Sequence, residues 1–296
     1  MDRKIRIIGI PVDLGQIHRG VNMGPSAIRY AGLANRLRQL GYTVNDSGNI
    51  TVPVRESLLE SGHENILPAI QTANESIYQA AKQAVDDGCI PIFLGGDHSI
   101  AIGTIGGVTH SRRTGVIWID AHGDFNTPAT SKSGNIHGMP LATLLGRGHE
   151  SLVNIGRSGA KLRPEDVVLI GLRDLDREER ELIKESGMGY YTMRDIDEKG
   201  ISRVMYQAID GLGCIDHLHV SFDADSLDPM VAPGVGTPVK GGLTYREAHL
   251  AMEIIADTRR VSSMDIVEIN PMLDMHNTTA DMAVELTASL FGKSII

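Results

Sequence analysis

Several whole classes of protein are excluded by what this sequence lacks. Cysteine is scarce: the 296 residues hold two, Cys89 and Cys214. They lie far apart, in or beside apolar segments, so the expectation is two buried, reduced thiols in a cytoplasmic protein. No long basic run is present, and 37 acidic against 28 basic residues give a net charge of −9. Nucleic acid and anionic membrane surfaces are therefore not expected partners. No apolar run approaches the ~20 residues that span a bilayer. The opening Met1-Asp-Arg-Lys-Ile-Arg-Ile-Ile8 lacks the apolar core and cleavage site of a signal peptide. Repeats, low-complexity tracts and linker-like stretches are missing too, so one domain over residues 1–296 is expected.

What is present reads as a globular α/β chain. Hydrophobic residues make up 42% and charged residues 22%, enough for one extended core. The 33 glycines fall mostly at the ends of apolar runs, where tight strand-to-helix turns need them. Apolar runs at 4–10, 42–44, 89–94, 115–119, 167–170, 189–192, 217–222 and 261–267 read as strands. Between them, helices are expected over 24–40, 64–87, 99–108, 138–146, 176–186, 201–212, 244–257 and 278–291, with an irregular connection at 45–62. Alternation of this kind means βαβ units and a parallel sheet covered on both faces.

Ligands in such a sheet bind beyond the carboxyl ends of the strands. Three of these ends carry unusual residues: Gly95-Gly96-Asp97-His98-Ser99, Asp120-Ala-His122-Gly-Asp124 and Asp223-Ala-Asp225-Ser-Leu-Asp228. Alternate side chains of extended backbone point the same way, so Asp223 and Asp225 can face one centre, as can Asp120, His122 and Asp124. His98 completes a set of two imidazoles and four carboxylates. Carboxylates gathered so closely repel one another, and two divalent cations would neutralise them. The set is too large for one tetrahedral zinc ion and, lacking thiolate, suits manganese better. A Walker-type nucleotide loop at Gly95-Gly96 is not expected, because no Lys-Ser/Thr pair follows.

Together the three motifs resemble the signatures of the ureohydrolases, the family of arginases and agmatinases. The resemblance runs from about Ile7 to Gly292. Pro11-Val-Asp-Leu-Gly15 and Gly24-Pro-Ser-Ala-Ile-Arg29 look particularly like bacterial arginases. The resemblance implies a three-layer α/β/α sandwich on a parallel, roughly eight-stranded sheet, with two manganese ions per subunit. Carried over by residue, it makes His98, Asp120, Asp124 and Asp223 the ligands of one ion. His122, Asp120, Asp223 and Asp225 would hold the other. The reaction it implies is attack of a metal-bridging hydroxide on a guanidinium carbon, releasing urea and an amine. His137 would move a proton, Glu268 would orient the guanidinium, and Asp124 counts among the catalytic groups as well as the ligands.

For the substrate, the run Ser133-Gly-Asn-Ile-His137 resembles arginases, which points to L-arginine giving L-ornithine. Asn126, Ser131 and Ser133 supply donors for its α-carboxylate. Asp176 and Glu179 resemble the carboxylates near its α-amino group, and Thr237 a hydroxyl near the site. Ser131 stands where some relatives have threonine, and Ser226 where glycine is common. Two further readings stand beside this one: an agmatinase or other guanidino-acid ureohydrolase, and a ureohydrolase-like scaffold that binds without catalysing. The resemblance also implies a homotrimer or homohexamer.

Overall fold

The computed structural model describes residues 3–60 and 66–294. Eight strands form one sheet: β1 (Lys4–Ile10), β2 (Thr43–Asn49), β3 (Ile90–Gly95), β4 (Gly115–Ile119), β5 (Val167–Leu172), β6 (Gly189–Thr192), β7 (Leu218–Asp223) and β8 (Val261–Val267). Their spatial order is β2-β1-β3-β8-β7-β4-β5-β6, and every pairing is parallel. All carboxyl ends therefore open on one edge. The helices are α1 (Gly24–Tyr30), α2 (Leu33–Gln39), α3 (Arg55–Leu59), α4 (Ile66–Asp86), α5 (Ala101–Val108), α6 (Pro140–Leu144), α7 (Glu150–Val153), α8 (Arg177–Ser186), α9 (Met193–Lys199), α10 (Ile201–Gly211), α11 (Tyr245–Asp257) and α12 (Thr278–Leu290).

Strand side chains divide between two cores. Ile5, Ile92, Ile117, Val220 and Ile266 pack with α1, α2 and α9 to α12. On the opposite face, Ile8 and Phe93 meet α4, while Val116, Trp118 and Leu169 meet α5, α6 and α8. The result is the three-layer α/β/α sandwich. Central strands covered on both faces carry near-continuous apolar runs, which is why β3, β4 and β5 were legible. No helix among the described residues is long and apolar enough to cross a membrane.

Three expectations need correction. The helix expected over 24–40 is two, broken where Gly32 takes a left-handed φ of 85° before α2 begins. The connection at 45–62 holds most of β2 and all of α3. Among the described residues this edge strand pairs only with β1, and it is largely exposed, so it lacks an apolar signature. The thiols are free, as expected, but not buried: Cys89 is half-buried and Cys214, in the turn after Gly213, is exposed. Residues 61–62 of the expected connection and 64–65 of the expected helix lie outside the described residues.

Candidate active site and metal centre

β3, β8, β7 and β4 are neighbours at the centre of the sheet. Their carboxyl ends bring together His98, Glu268, Asp223 with Asp225, and Asp120 with His122 and Asp124. The chain leaves β3 through Gly96, where a Cβ would stand 2.0 Å from the Val12 carbonyl oxygen. Only glycine permits this passage beneath the β1 loop.

The motifs share a local device that period-2 reasoning missed. β4 ends at Ile119, and Asp225 lies in a 3₁₀ turn, so except for Asp223, the last residue of β7, the ligand candidates are aimed by turns instead of extended backbone. In each motif the first aspartate accepts the N–H two residues on. Asp97 Oδ1 takes Ser99 N at 3.0 Å, Asp120 Oδ1 takes His122 N at 2.7 Å, and Asp223 Oδ1 takes Asp225 N at 2.8 Å. These Asx turns replace lost strand hydrogen bonds and swing the second residue toward the centre. Asp124 completes the bend in the left-handed region, with φ 49°.

His98 Nδ1 lies 3.2 Å from Asp120 Oδ2, 3.0 Å from Asp124 Oδ2 and 3.1 Å from Asp223 Oδ2. His122 Nδ1 lies 3.4 Å from Asp120 Oδ1 and 3.1 Å from Asp225 Oδ2. Two ligand groups result, His98–Asp120–Asp223 and Asp120–His122–Asp225, and Asp120 belongs to both. The donor set fits divalent cations. Although ringed by carboxylates, His98 Nδ1 and Asp124 Oδ2 are buried with no hydrogen-bond partner. Such atoms are costly unless a cation satisfies them.

The electrostatics agree. Burial, then repulsion from Asp225 and Asp120, holds the Asp223 carboxyl well above its usual range. Burial, then Asp120, pushes Asp124 up to about 6. Burial works against charge on both imidazoles, but the surrounding carboxylates prevail and raise His98 and His122. For Asp120 burial is likewise overcome, by the His122 and His98 imidazoles beside it, and its pKa falls. The cluster is thus a buried trap for positive charge.

A supporting shell fixes these groups, and the sequence alone did not single it out. Trp118 Nε1 donates to Asp120 Oδ2 at 2.9 Å, and its indole stacks on the His98 ring with centroids 4.2 Å apart. Ser221 Oγ sits 2.8 Å from His98 Nε2, which makes Nε2 the proton-bearing nitrogen when Nδ1 serves as a ligand. Trp118, Ser221 and Asp265 are register partners on adjacent strands. On β8 the signal was a polar residue inside an apolar strand, Asp265, which accepts Thr104 Oγ1 at 2.7 Å.

Beside the cluster, His137 Nδ1 lies 3.1 Å from Glu268 Oε1. Burial opposes its charge, but the bond to Glu268 and that carboxylate's field raise His137 to about 9. Glu268 is buried, takes φ 63°, and is drawn below the usual carboxylate range, chiefly by His137 against the cost of burial. Thr237 Oγ1 donates to Asp225 Oδ2 at 2.9 Å.

The expected substrate contacts divide. Asn126, Ser131, Ser133 and Asp176 form one polar rim. Asn126 Nδ2 reaches Asp176 Oδ2 at 3.4 Å, and Ser131 Oγ and Ser133 Oγ stand 3.5 Å apart. Lys132, unforeseen, holds Asp176 Oδ1 at 2.8 Å. Glu179 is not on this rim. It is 4% exposed and accepts Phe125 N at 2.9 Å beneath the 122–125 turn, where burial pushes it up to about 7.

With the geometry in place, the comparisons with known proteins are direct. The profile of the Arginase family matches residues 3–292. This chain is 52% identical to the arginase of Bacillus subtilis (strain 168) over 297 residues, covering 100% of each. It superposes on the arginase structure from Bacillus caldovelox with a TM-score of 0.96 at 53% identity, covering 100% of both chains. An Entamoeba histolytica arginase solved in complex with L-ornithine is 31% identical, with a TM-score of 0.88, covering 99% of this chain and 100% of that one.

Proposed function

The chain belongs to the arginase family, and on that premise we propose that it hydrolyses L-arginine to L-ornithine and urea at a pair of manganese ions. The carrying observation is the doubled ligand group sharing Asp120, with His137 and Glu268 beside it. His98, Asp120, Asp124 and Asp223 would hold one ion, and His122, Asp120, Asp223 and Asp225 would hold the other. When bound, such a pair supplies hydroxide near neutral pH.

The residues do the rest. Glu268 turns a carboxylate toward the guanidinium and holds His137 by Nδ1, leaving Nε2 to face the substrate. With its pKa raised to about 9, His137 carries a proton at neutral pH. The bond between the guanidinium carbon and the ornithine nitrogen breaks, and His137 Nε2 gives its proton to that nitrogen. The rim of Asn126, Ser131 and Ser133 supplies donors for the α-carboxylate, and Asp176 is placed for the α-amino group. Ornithine as the product agrees with the ligand of the Entamoeba relative. The same reading takes residues 1–296 as a single catalytic domain, in a cytoplasmic homotrimer or homohexamer.

The test is urea release from arginine, agmatine and guanidinobutyrate, with and without manganese. Release from arginine alone, dependent on manganese, is expected. Urea from agmatine or guanidinobutyrate but not from arginine would sink the substrate assignment.

A further inference from the structure

Glu268 has its oxygens nearly filled. Oε1 accepts the His98 N–H at 2.9 Å and faces His137 Nδ1. Oε2 accepts the side-chain amide of Gln16 at 2.6 Å. A carboxylate offers about four lone-pair sites, so roughly one is left. A guanidinium is planar, and several of its N–H groups lose water when it enters a closed site. One free lone pair cannot satisfy them.

Gln16 brings the missing acceptor. Its side chain is buried at 2% exposure. The amide nitrogen is the atom that faces Glu268, donating to its Oε2. That forces the amide oxygen the other way, toward Gly236, where a Cβ would come within 3.0 Å of it. The adjacent Thr237 touches Asp225. Gln16 Oε1 is buried and has no partner. An amide carbonyl in that condition costs free energy until a donor arrives.

The loop that carries Gln16 is built to hold it still. Gly15 N donates to Asp97 Oδ2 at 2.8 Å, and His137 N donates to Gly15 O at 3.1 Å. Arg55 grips the Asp13 and Gln16 carbonyls at 2.6 and 2.5 Å. Gly15 lies so close to Asp97 that a Cβ would meet Oδ1 at 2.7 Å. Rigid placement of an unsatisfied acceptor is the mark of a binding group and not of a filler.

We propose that Gln16 binds substrate: Nε2 fixes Glu268, and Oε1 accepts an N–H of the guanidinium beside the free lone pair of Glu268. The inference rests on the guanidinium-hydrolase reading above. It assigns discrimination between a guanidinium and a simple amine partly to the loop after β1, far in sequence from the metal motifs.

The experiment compares the manganese-loaded wild type with Gln16→Leu, which keeps bulk and removes both polar groups. Metal content and melting temperature are measured alongside kinetics. The KM for arginine is expected to rise roughly tenfold to a hundredfold, the effect of one lost hydrogen bond to a charged group. Inhibition by L-ornithine, which lacks the guanidinium, is expected to stay within about twofold, and the metal content to stay unchanged. Equal weakening toward arginine and ornithine overturns the proposal, as does a fall in kcat with KM unchanged. Should Gln16→Leu not fold, Gln16→Met takes its place under the same outcomes. A wild type that releases no urea from arginine overturns the underlying reading. An active wild type matched by Gln16→Leu overturns this inference alone.

Discussion

Trp118 is the chain's one tryptophan, and it is fully buried against two candidate ligands. It stacks on His98 and donates to Asp120. Its emission should therefore change as cations enter, and titrating manganese into chelated protein while reading fluorescence checks this. A flat titration, with uptake proved by elemental analysis, would contradict the placement. Asp124→Ala and Asp225→Ala each remove one proposed ligand and should lower bound metal and urea release together. Full metal content in either variant would sink the ligand assignment. At this scale the six ligand candidates were legible because each motif compresses its chemistry into three to five residues. Gln16 and Ser221 were not, since their partners lie far away in sequence, Glu268 across 252 positions and His98 across 123, and Trp118 was not, since a tryptophan inside an apolar strand reads as plain core.

Among the elements, the short helices α3, α7 and α9 leave no periodic apolar trace in the sequence, and α9 is the one with a clear start signal. Met193-Arg-Asp-Ile-Asp-Glu-Lys199 is short and polar, and only Ile196 is buried. Its start is nonetheless marked by a capping box, Thr192 with Asp195. Thr192→Ala should cost about 1 kcal/mol, read as a lower melting temperature with urea release unaffected. The hydrogen bond from Lys199 holds the Asp195 carboxyl down to about 2 against slight burial, with Thr192 helping. A depressed carboxylate stabilises above its unfolded value, so this contribution is whole above about pH 4 and fades as pH falls toward 2. The difference in stability between wild type and Thr192→Ala should therefore narrow in acid. Strands β1, β4, β6 and β8 were readable to the residue. Edge strand β2 and the break at Gly32 were not, because exposure and one left-handed residue leave no periodic trace.

For the molecule as a whole, bound cations add to folding stability by mass action. At a metal concentration a hundred times its dissociation constant, one site contributes about 2.7 kcal/mol. For a chain of this size that corresponds to a shift of roughly 4–5 °C for each site filled. Chelation should lower the melting temperature by such an amount and manganese should restore it; calorimetry showing no shift would count against an integral metal centre. Sheet order has a second consequence, for synthesis. The last strand to be made, β8, stands inside the sheet between β3 and β7. A nascent chain that has finished β7 already contains His98, the Asp120–Asp124 turn, Asp223 and Asp225, yet β3 and β7 have nothing between them. β8 supplies the hydrogen-bonded link through which both ends reach one centre. A chain cut short before residue 261 would carry every ligand candidate without the strand that joins the two halves of the sheet bearing them.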